Sequence, residues 1–193
     1  MWLLNHGSKP NITDNAGIPP LERAIHLHHD QAVELLLNSN KVDYTANRNG
    51  YSYMHAAAAQ GNMNLLKKLI TIELDVEQKD NDGAGFTPLH WATQENKEEV
   101  VRELLKNGAD PKVSLLVYIG ASNGYTDIVE DLIHEGADIE IMNEAVSNFT
   151  PLLIACTYDQ LEVVKLLLNK NANIHEVSSE GKSVLLFLLA INI

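Results

Sequence analysis

The sequence predicts an all-α repeat solenoid of short helix–turn–helix units, and three recurrences along its 193 residues carry that prediction. The first is a turn-and-cap segment, seen at Gly17-Ile-Pro-Pro-Leu21, Gly50-Tyr-Ser-Tyr-Met54, Gly85-Phe-Thr-Pro-Leu89, Asn148-Phe-Thr-Pro-Leu152 and Gly181-Lys-Ser-Val-Leu185. The second is an apolar stretch downstream, as in Glu99-Val-Val-Arg-Glu-Leu-Leu105 and Glu162-Val-Val-Lys-Leu-Leu-Leu168. The third closes the unit: Asn107-Gly-Ala-Asp110, Glu135-Gly-Ala-Asp138 and Lys170-Asn-Ala-Asn173.

Each element has a local reason. Thr87 places a capping hydroxyl before Pro88, a residue suited to the first helical position, so a helix begins there. Leu89 and Ala92 lie three apart on one face of it. Near Asn96, and near its counterparts Gly61 and Gly124, that helix stops. A second helix carries Val100, Val101, Leu104 and Leu105 at core spacing, and Gly108 suits a left-handed cap at its end. Such short helices do not persist alone in water, so neighbouring units must supply the burial. The pattern predicts inner helices near 20–27, 53–60, 88–95, 116–123, 151–158 and 184–191. Outer helices follow near 30–38, 63–72, 98–107, 126–135 and 161–170.

Thr87-Pro-Leu-His-Trp-Ala92 followed by Val100-Val-Arg-Glu-Leu-Leu-Lys-Asn-Gly-Ala-Asp110 closely resembles the ankyrin repeat, and five copies keep register across essentially the whole chain. The resemblance implies β-turn fingers between the end of one unit and the turn glycine of the next. It divides 1–193 into a single array: a partial unit at 1–13, repeats at 14–46, 47–79, 80–111, 112–144 and 145–177, and a partial unit at 178–193. It also implies that His55 and His90, in the fourth position of the Thr-Pro-Leu-His motif, hydrogen-bond a neighbouring turn.

The array departs from its own period once. Successive cap positions Pro19, Ser52, Thr87, Leu115, Thr150 and Ser183 are separated by 33, 35, 28, 35 and 33 residues. About five finger residues are therefore missing between Asp110 and Leu115 relative to the usual ankyrin period. The insertions around Asp80–Gly85 and Asn143–Ser147 lengthen the steps on either side. Either the fourth repeat lacks an ordinary finger and leaves a notch between two longer ones, or a degenerate repeat has drifted. Both ends look unfinished: Met1–Gly7 matches only an outer-helix end and its cap, and Val184–Ile193 is an inner helix without an outer one. Leu185 to Leu189 are apolar nearly all round, which fits a piece of a longer array or ends that stack on another chain.

Composition narrows the function. Hydrophobic residues are 45% and charged residues 21% of the chain, which suits a packed core rather than disorder. One cysteine, Cys156, excludes a disulfide framework and multi-thiolate metal sites. The opening segment lacks a basic region and a long apolar stretch, so an intracellular, cytoplasmic protein is expected. With 14 Lys+Arg against 26 Asp+Glu, a net charge of −12 disfavours nucleic acid and acidic membranes as partners. The acidity concentrates between Ser114 and Ser147, where Asp127, Glu130, Asp131, Glu135, Asp138, Glu140 and Glu144 face no Lys or Arg in sequence. That stretch would suit a basic partner, or it is simply a solvated face.

Residues that mimic chemistry have plainer readings. Among His26, His28, His29 and Asp30 no two histidines have the i, i+4 spacing of the HExxH zinc motif, and in register the run falls at the end of the inner helix and the inter-helix turn. Cys156 sits on an inner helix as a small core residue. Gly83-Ala-Gly85 lacks the third glycine and the lysine of a phosphate loop. No catalytic residue, metal or cofactor is expected, and the chain is read as no enzyme.

In the ankyrin family, partners commonly lie in the concave groove made by fingers and inner helices, so the resemblance implies a protein–protein interaction scaffold. The position after the turn glycine reads Ile18, Tyr51, Phe86, Ser114, Phe149 and Lys182: three of six are aromatic in a chain with 6% aromatics. Inner-helix positions add His26, Trp91, Gln94, Glu95, Asn123 and Tyr158. Rigid rings are the usual interface anchors, although packing beneath adjacent fingers would account for about half of these. Two other readings stay open. One is a targeting or substrate-recruiting segment of a larger enzyme or bacterial effector acting in a host cytosol, which the Asn-, Lys- and Ile-rich wording suits. The other is a structural array that oligomerises through open ends.

Overall fold

A computed structural model describes residues 9–39, 41–45, 47–48, 50–81, 85–113, 115–143 and 148–191. The helices fall where the sequence pattern sets them, within a residue at most ends. Two compact units divide at Ala109/Asp110, and each is described by itself.

The first unit contains three helix pairs: α1 (Pro20–His26) with α2 (Asp30–Leu37), α3 (Tyr53–Gln60) with α4 (Met63–Thr71), and α5 (Pro88–Gln94) with α6 (Glu98–Lys106). A two-residue antiparallel ribbon, β1 (Asn47–Arg48) and β2 (Tyr51–Ser52), precedes α3 with Asn47 opposite Ser52. Inner helix α3 packs between α1 and α5 and also against its own partner α4. Everything from Tyr53 to Ala59 is buried, and the alanine run Ala56–Ala59 lets two inner helices approach it at once. Leu21, Ile25, Met54, Leu65, Leu66, Leu69, Leu89 and Leu104 fill the remaining core. Outer helices bury one stripe only: Val100, Val101 and Leu104 of α6 point inward, while Glu98 and Arg102 pair one turn apart on the outside.

The second unit holds α7 (Leu116–Asn123) with α8 (Thr126–His134), α9 (Pro151–Thr157) with α10 (Leu161–Asn169), and α11 (Val184–Ile191). Single antiparallel bridges, Asn143 to Phe149 and Val177 to Ser183, close the fingers before α9 and α11. Leu116, Ile128, Leu132, Leu152 and Leu167 form its core, joined by Cys156. Burial pushes the Cys156 thiol up to about 11, so it stays protonated and packs as a small apolar group. Leu185 and Leu186 of α11 are 48% and 60% exposed.

Every turn between an inner and an outer helix carries a left-handed residue: His28, Gly61, Asn96, Gly124 and Asp159. The finger before α7 is different. Asp110 accepts the backbone N–H of Lys112 at 2.9 Å, residues 111–113 turn, and Leu115 enters the helix at φ 79° with no side-chain cap. Among the described residues no paired strands stand between Ala109 and Leu116. The predicted outer-helix end at Met1–Gly7 and the inserted residues 82–84 and 144–147 lie outside the described residues.

Candidate interaction site

The most constrained surface feature of the first unit grows from the finger before α5. Asp80 is buried and works in three directions. Its backbone N–H donates to the Phe86 carbonyl (2.9 Å), its Oδ1 accepts the Phe86 N–H (2.9 Å), and its Oδ2 accepts the Trp91 indole N–H (2.8 Å). One carboxylate thus ties the base of the finger to the ring that projects from the next helix. Burying a carboxylate is tolerable only with this many donors.

Trp91 stands edge-on to two other rings, Tyr51 at 5.3 Å between centroids and Phe86 at 6.4 Å. Each of those lies flat on a histidine: Tyr51 on His55 (5.5 Å) and Phe86 on His90 (4.8 Å, 3° between planes). Edge-to-face and offset contacts are the favoured aromatic geometries, so the cluster is ordered before any partner arrives. All three outer rings remain half-buried rather than sealed. Gln94 and Glu95, exposed, follow at the end of α5. His26 is exposed at the end of α1.

The histidines are structural. The backbone N–H of Ser52 donates to His55 Nδ1 at 3.0 Å, so that nitrogen must be unprotonated; the Nε2–H then donates to the Phe86 carbonyl at 3.1 Å. Burial holds the ring below its ordinary titration range. The Ser52 hydroxyl also lies 3.0 Å from His55 Nδ1, and the Thr87 hydroxyl 2.9 Å from His90 Nδ1. Spacing in the sequence suggests no such hydroxyl–imidazole pair, yet neither pair is a nucleophile with its base. Both hydroxyls are buried, and both imidazoles already accept a backbone N–H as the return half of a capping box.

In the second unit the candidates separate. Asn123 is exposed, with its amide donating back to the Ile119 carbonyl at 2.9 Å. Tyr158 is 60% exposed at the end of α9. Phe149 must be corrected: at 4% exposure it is a core ring, roofed by the Lys182 ammonium 5.5 Å from its centroid, and offers no contact surface. The finger bridge to Asn143 pulls it inward, which the residue's register alone does not reveal.

The residue at the finger base recurs along the chain. Asp14 repeats the Asp80 arrangement, accepting the N–H of Ile18 (3.0 Å) and pairing with Arg23, which occupies the same register as Trp91. The Arg23 guanidinium holds the Asp14 carboxyl down at about 2, although both side chains are exposed. Ser178 does likewise for the N–H of Lys182 (3.1 Å). A short polar residue three residues before the turn glycine, as at Asp14 and Ser178, or five before it, as at Asp80, is the signal the sequence offers. Elsewhere, no three His, Cys, Asp or Glu side chains among the described residues converge on a metal-sized site. No described helix is long and apolar enough to cross a membrane.

Stacked helix pairs joined by turn-tied fingers define a helical repeat module, a class that generally mediates protein–protein interaction. The family description "Ankyrin repeats (3 copies)" matches residues 40–114 and again 117–192, and the chain belongs to the ankyrin-repeat family. The chain is 33% identical over 125 residues to the Homo sapiens transient receptor potential cation channel subfamily A member 1, covering 62% of this chain and 11% of that protein. It is 34% identical over 113 residues to the palmitoyltransferase AKR1 of Lachancea kluyveri, covering 56% and 15%. To the alpha-latrocrustotoxin-Lt1a of Latrodectus tredecimguttatus it is 29% identical over 179 residues, covering 84% and 13%. The chain therefore spans only 11–15% of the length of these relatives.

Proposed function

We propose that the chain is an interaction scaffold that takes up an extended segment of a partner protein, anchored on Tyr51, Phe86 and Trp91. The observation that carries this reading is the ring cluster itself: three aromatics packed edge to face, the central Trp91 tied to a buried aspartate, yet left half open. Packing alone would favour sealing such rings, whereas an interface anchor needs rigid area that a partner can finish burying. Gln94 and Glu95 supply polar contacts beside the rings, and His26, Asn123 and Tyr158 extend the contact set on their own units. The net charge of −12 favours a partner of basic character. An intracellular, cytoplasmic setting suits a module with a single buried thiol.

Selection of binders from a displayed peptide library against the intact chain tests this. Binders should be lost on Phe86→Ala/Trp91→Ala and weakened about tenfold by Gln94→Ala/Glu95→Lys, whose side chains are exposed and leave the fold intact. Binders that keep their affinity for a ring variant still melting cooperatively would remove the rings from the site.

A second reading rests on one fact: the relatives match through a small share of their length, a palmitoyltransferase among them. The array would then recruit substrates to chemistry carried elsewhere. Attaching it to an unrelated reporter enzyme and comparing turnover on binder-tagged and untagged substrate separates recruitment from mere binding. Stacking through the exposed Leu185 and Leu186 is a third use, visible as concentration-dependent mass in light scattering.

A further inference from the structure

At the opposite end of the inner helices from the rings, successive helix pairs meet in crevices that the chain usually plugs itself. The plug comes from the residue just before each outer helix. Lys97 lays its stem over the turn of the preceding repeat, so closely that a Cβ on Gly61 would lie 3.1 Å from Lys97 Cδ. In the second unit Gln160 covers Gly124 the same way, and its Nε2 donates to the Ser122 carbonyl at 3.2 Å. Glycine at those two turns serves both the left-handed backbone and the close approach of the plug.

Between the first two helix pairs the plug is missing. The corresponding residue is Asn62, which is short and turned back on its own helix, its Oδ1 accepting the Leu65 N–H at 3.0 Å. The turn it should cover carries His28. What remains is a cavity of about 520 Å³, against about 230 Å³ for the crevice that Lys97 crosses. Half-buried Met63 lines its apolar part over the nearly buried Ile25 and Val33; Asp30, Glu34 and Gln60 supply acceptors, His28 stands beside them, and no Lys or Arg is among its lining residues. The carbonyl reached by Gln160 corresponds in register to that of His26, at the end of α1.

From this geometry we infer that the crevice between the first and second helix pairs receives a lysine or arginine side chain from a partner protein, in the place that Lys97 and Gln160 fill within the chain. The donor-bearing tip meets Asp30 and Glu34, and the aliphatic stem lies along Met63, as long basic side chains do when they snorkel across apolar surface. This site is independent of the ring cluster: the eight residues of α3 separate the two by about 12 Å.

The test is an amide NMR titration of the intact chain with the peptide acetyl-Gly-Ser-Lys-Ser-Gly-amide and with the same peptide carrying norleucine for lysine. Saturable shifts should appear at Glu34, Gly61 and Asn62 with the lysine peptide, and affinity should fall about tenfold or more for norleucine. Asn62→Lys gives the chain its own plug, as Lys97 does one repeat later, and should abolish the response. Glu34→Gln, exposed and neutral to the fold, should weaken it several-fold, while Asp127→Asn/Glu130→Gln should change nothing. Equal response to both peptides, a response spread over the acidic residues 127–140, or full binding by folded Asn62→Lys and Glu34→Gln would each overturn the inference.

Discussion

The junctions leading into α5 and α7 do the same job by different means. Before α5, Asp80 closes the finger, Thr87 and His90 form a reciprocal cap, and Pro88 presets the first turn. Before α7, Asp110 caps a local turn at Lys112, Leu115 replaces the capping threonine, and Tyr118 stands in the histidine position. A leucine at φ 79° costs about 1–2 kcal/mol that threonine in extended backbone does not. The second unit nevertheless folds the same helix pair. Finger and cap chemistry therefore sets how firmly a repeat begins, while the buried stripe, Leu116 and Val117 against Ile128, Val129 and Leu132, sets whether the helices pack at all.

The largest expected difference lies at the finger bases. Asp80→Ala leaves two half-buried donors, the Phe86 N–H and the Trp91 indole, without their acceptor and should lower stability by about 3 kcal/mol in urea unfolding. Asp110→Ala removes the exposed turn contact to the Lys112 N–H and should cost about 1 kcal/mol or less. Equal losses would break the comparison.

Next comes the histidine. His55 titrates below its unfolded value of 6.5 because burial opposes its charge. Unfolded chains therefore bind more protons, and the stability this ring contributes is complete above about pH 6.5 and falls as pH drops through the folded value. Urea midpoints should decline between pH 7.5 and 5.5 in the parent. His55→Leu should cost about 2 kcal/mol at pH 7.5 and flatten that decline. A slope unchanged by the substitution would assign the pH dependence to other groups.

The smallest effects concern the caps. Thr87→Val should destabilise by about 1 kcal/mol, the usual cost of a lost helix cap. Leu115→Gly trades relief of its left-handed backbone against a half-buried side chain and should fall within about 0.5 kcal/mol of the parent in thermal melts. A large loss at Leu115 would mean its side chain, rather than its backbone, holds the short finger.

Much of the architecture was legible because helix spacing, caps and turn residues act locally. Thr87-Pro88 starts a helix wherever it stands, and Gly61 or Gly124 stops one, so element positions follow from neighbours in the chain. The site was legible only in part. Tyr51, Phe86 and Phe149 share one register, yet two rings frame Trp91 at the surface while the third is buried under Lys182. The Thr87 cap and a turn-bonding role for His55 and His90 were legible, but the Asp80 anchor was not, because its meaning lies in hydrogen bonds formed only once the finger folds back.

By itself, the sequence determined the repeat, its helices and the shortened step at 110–115, since periodic apolar burial and capping are encoded over a few residues. Tertiary structure alone decided which rings stay open, which carboxylate holds them, and which crevice lacks its plug. Those outcomes depend on side chains from consecutive repeats meeting across about 30 residues, and a one-atom difference in reach, as between Asn62 and Gln160 one carbon longer, changes what is covered.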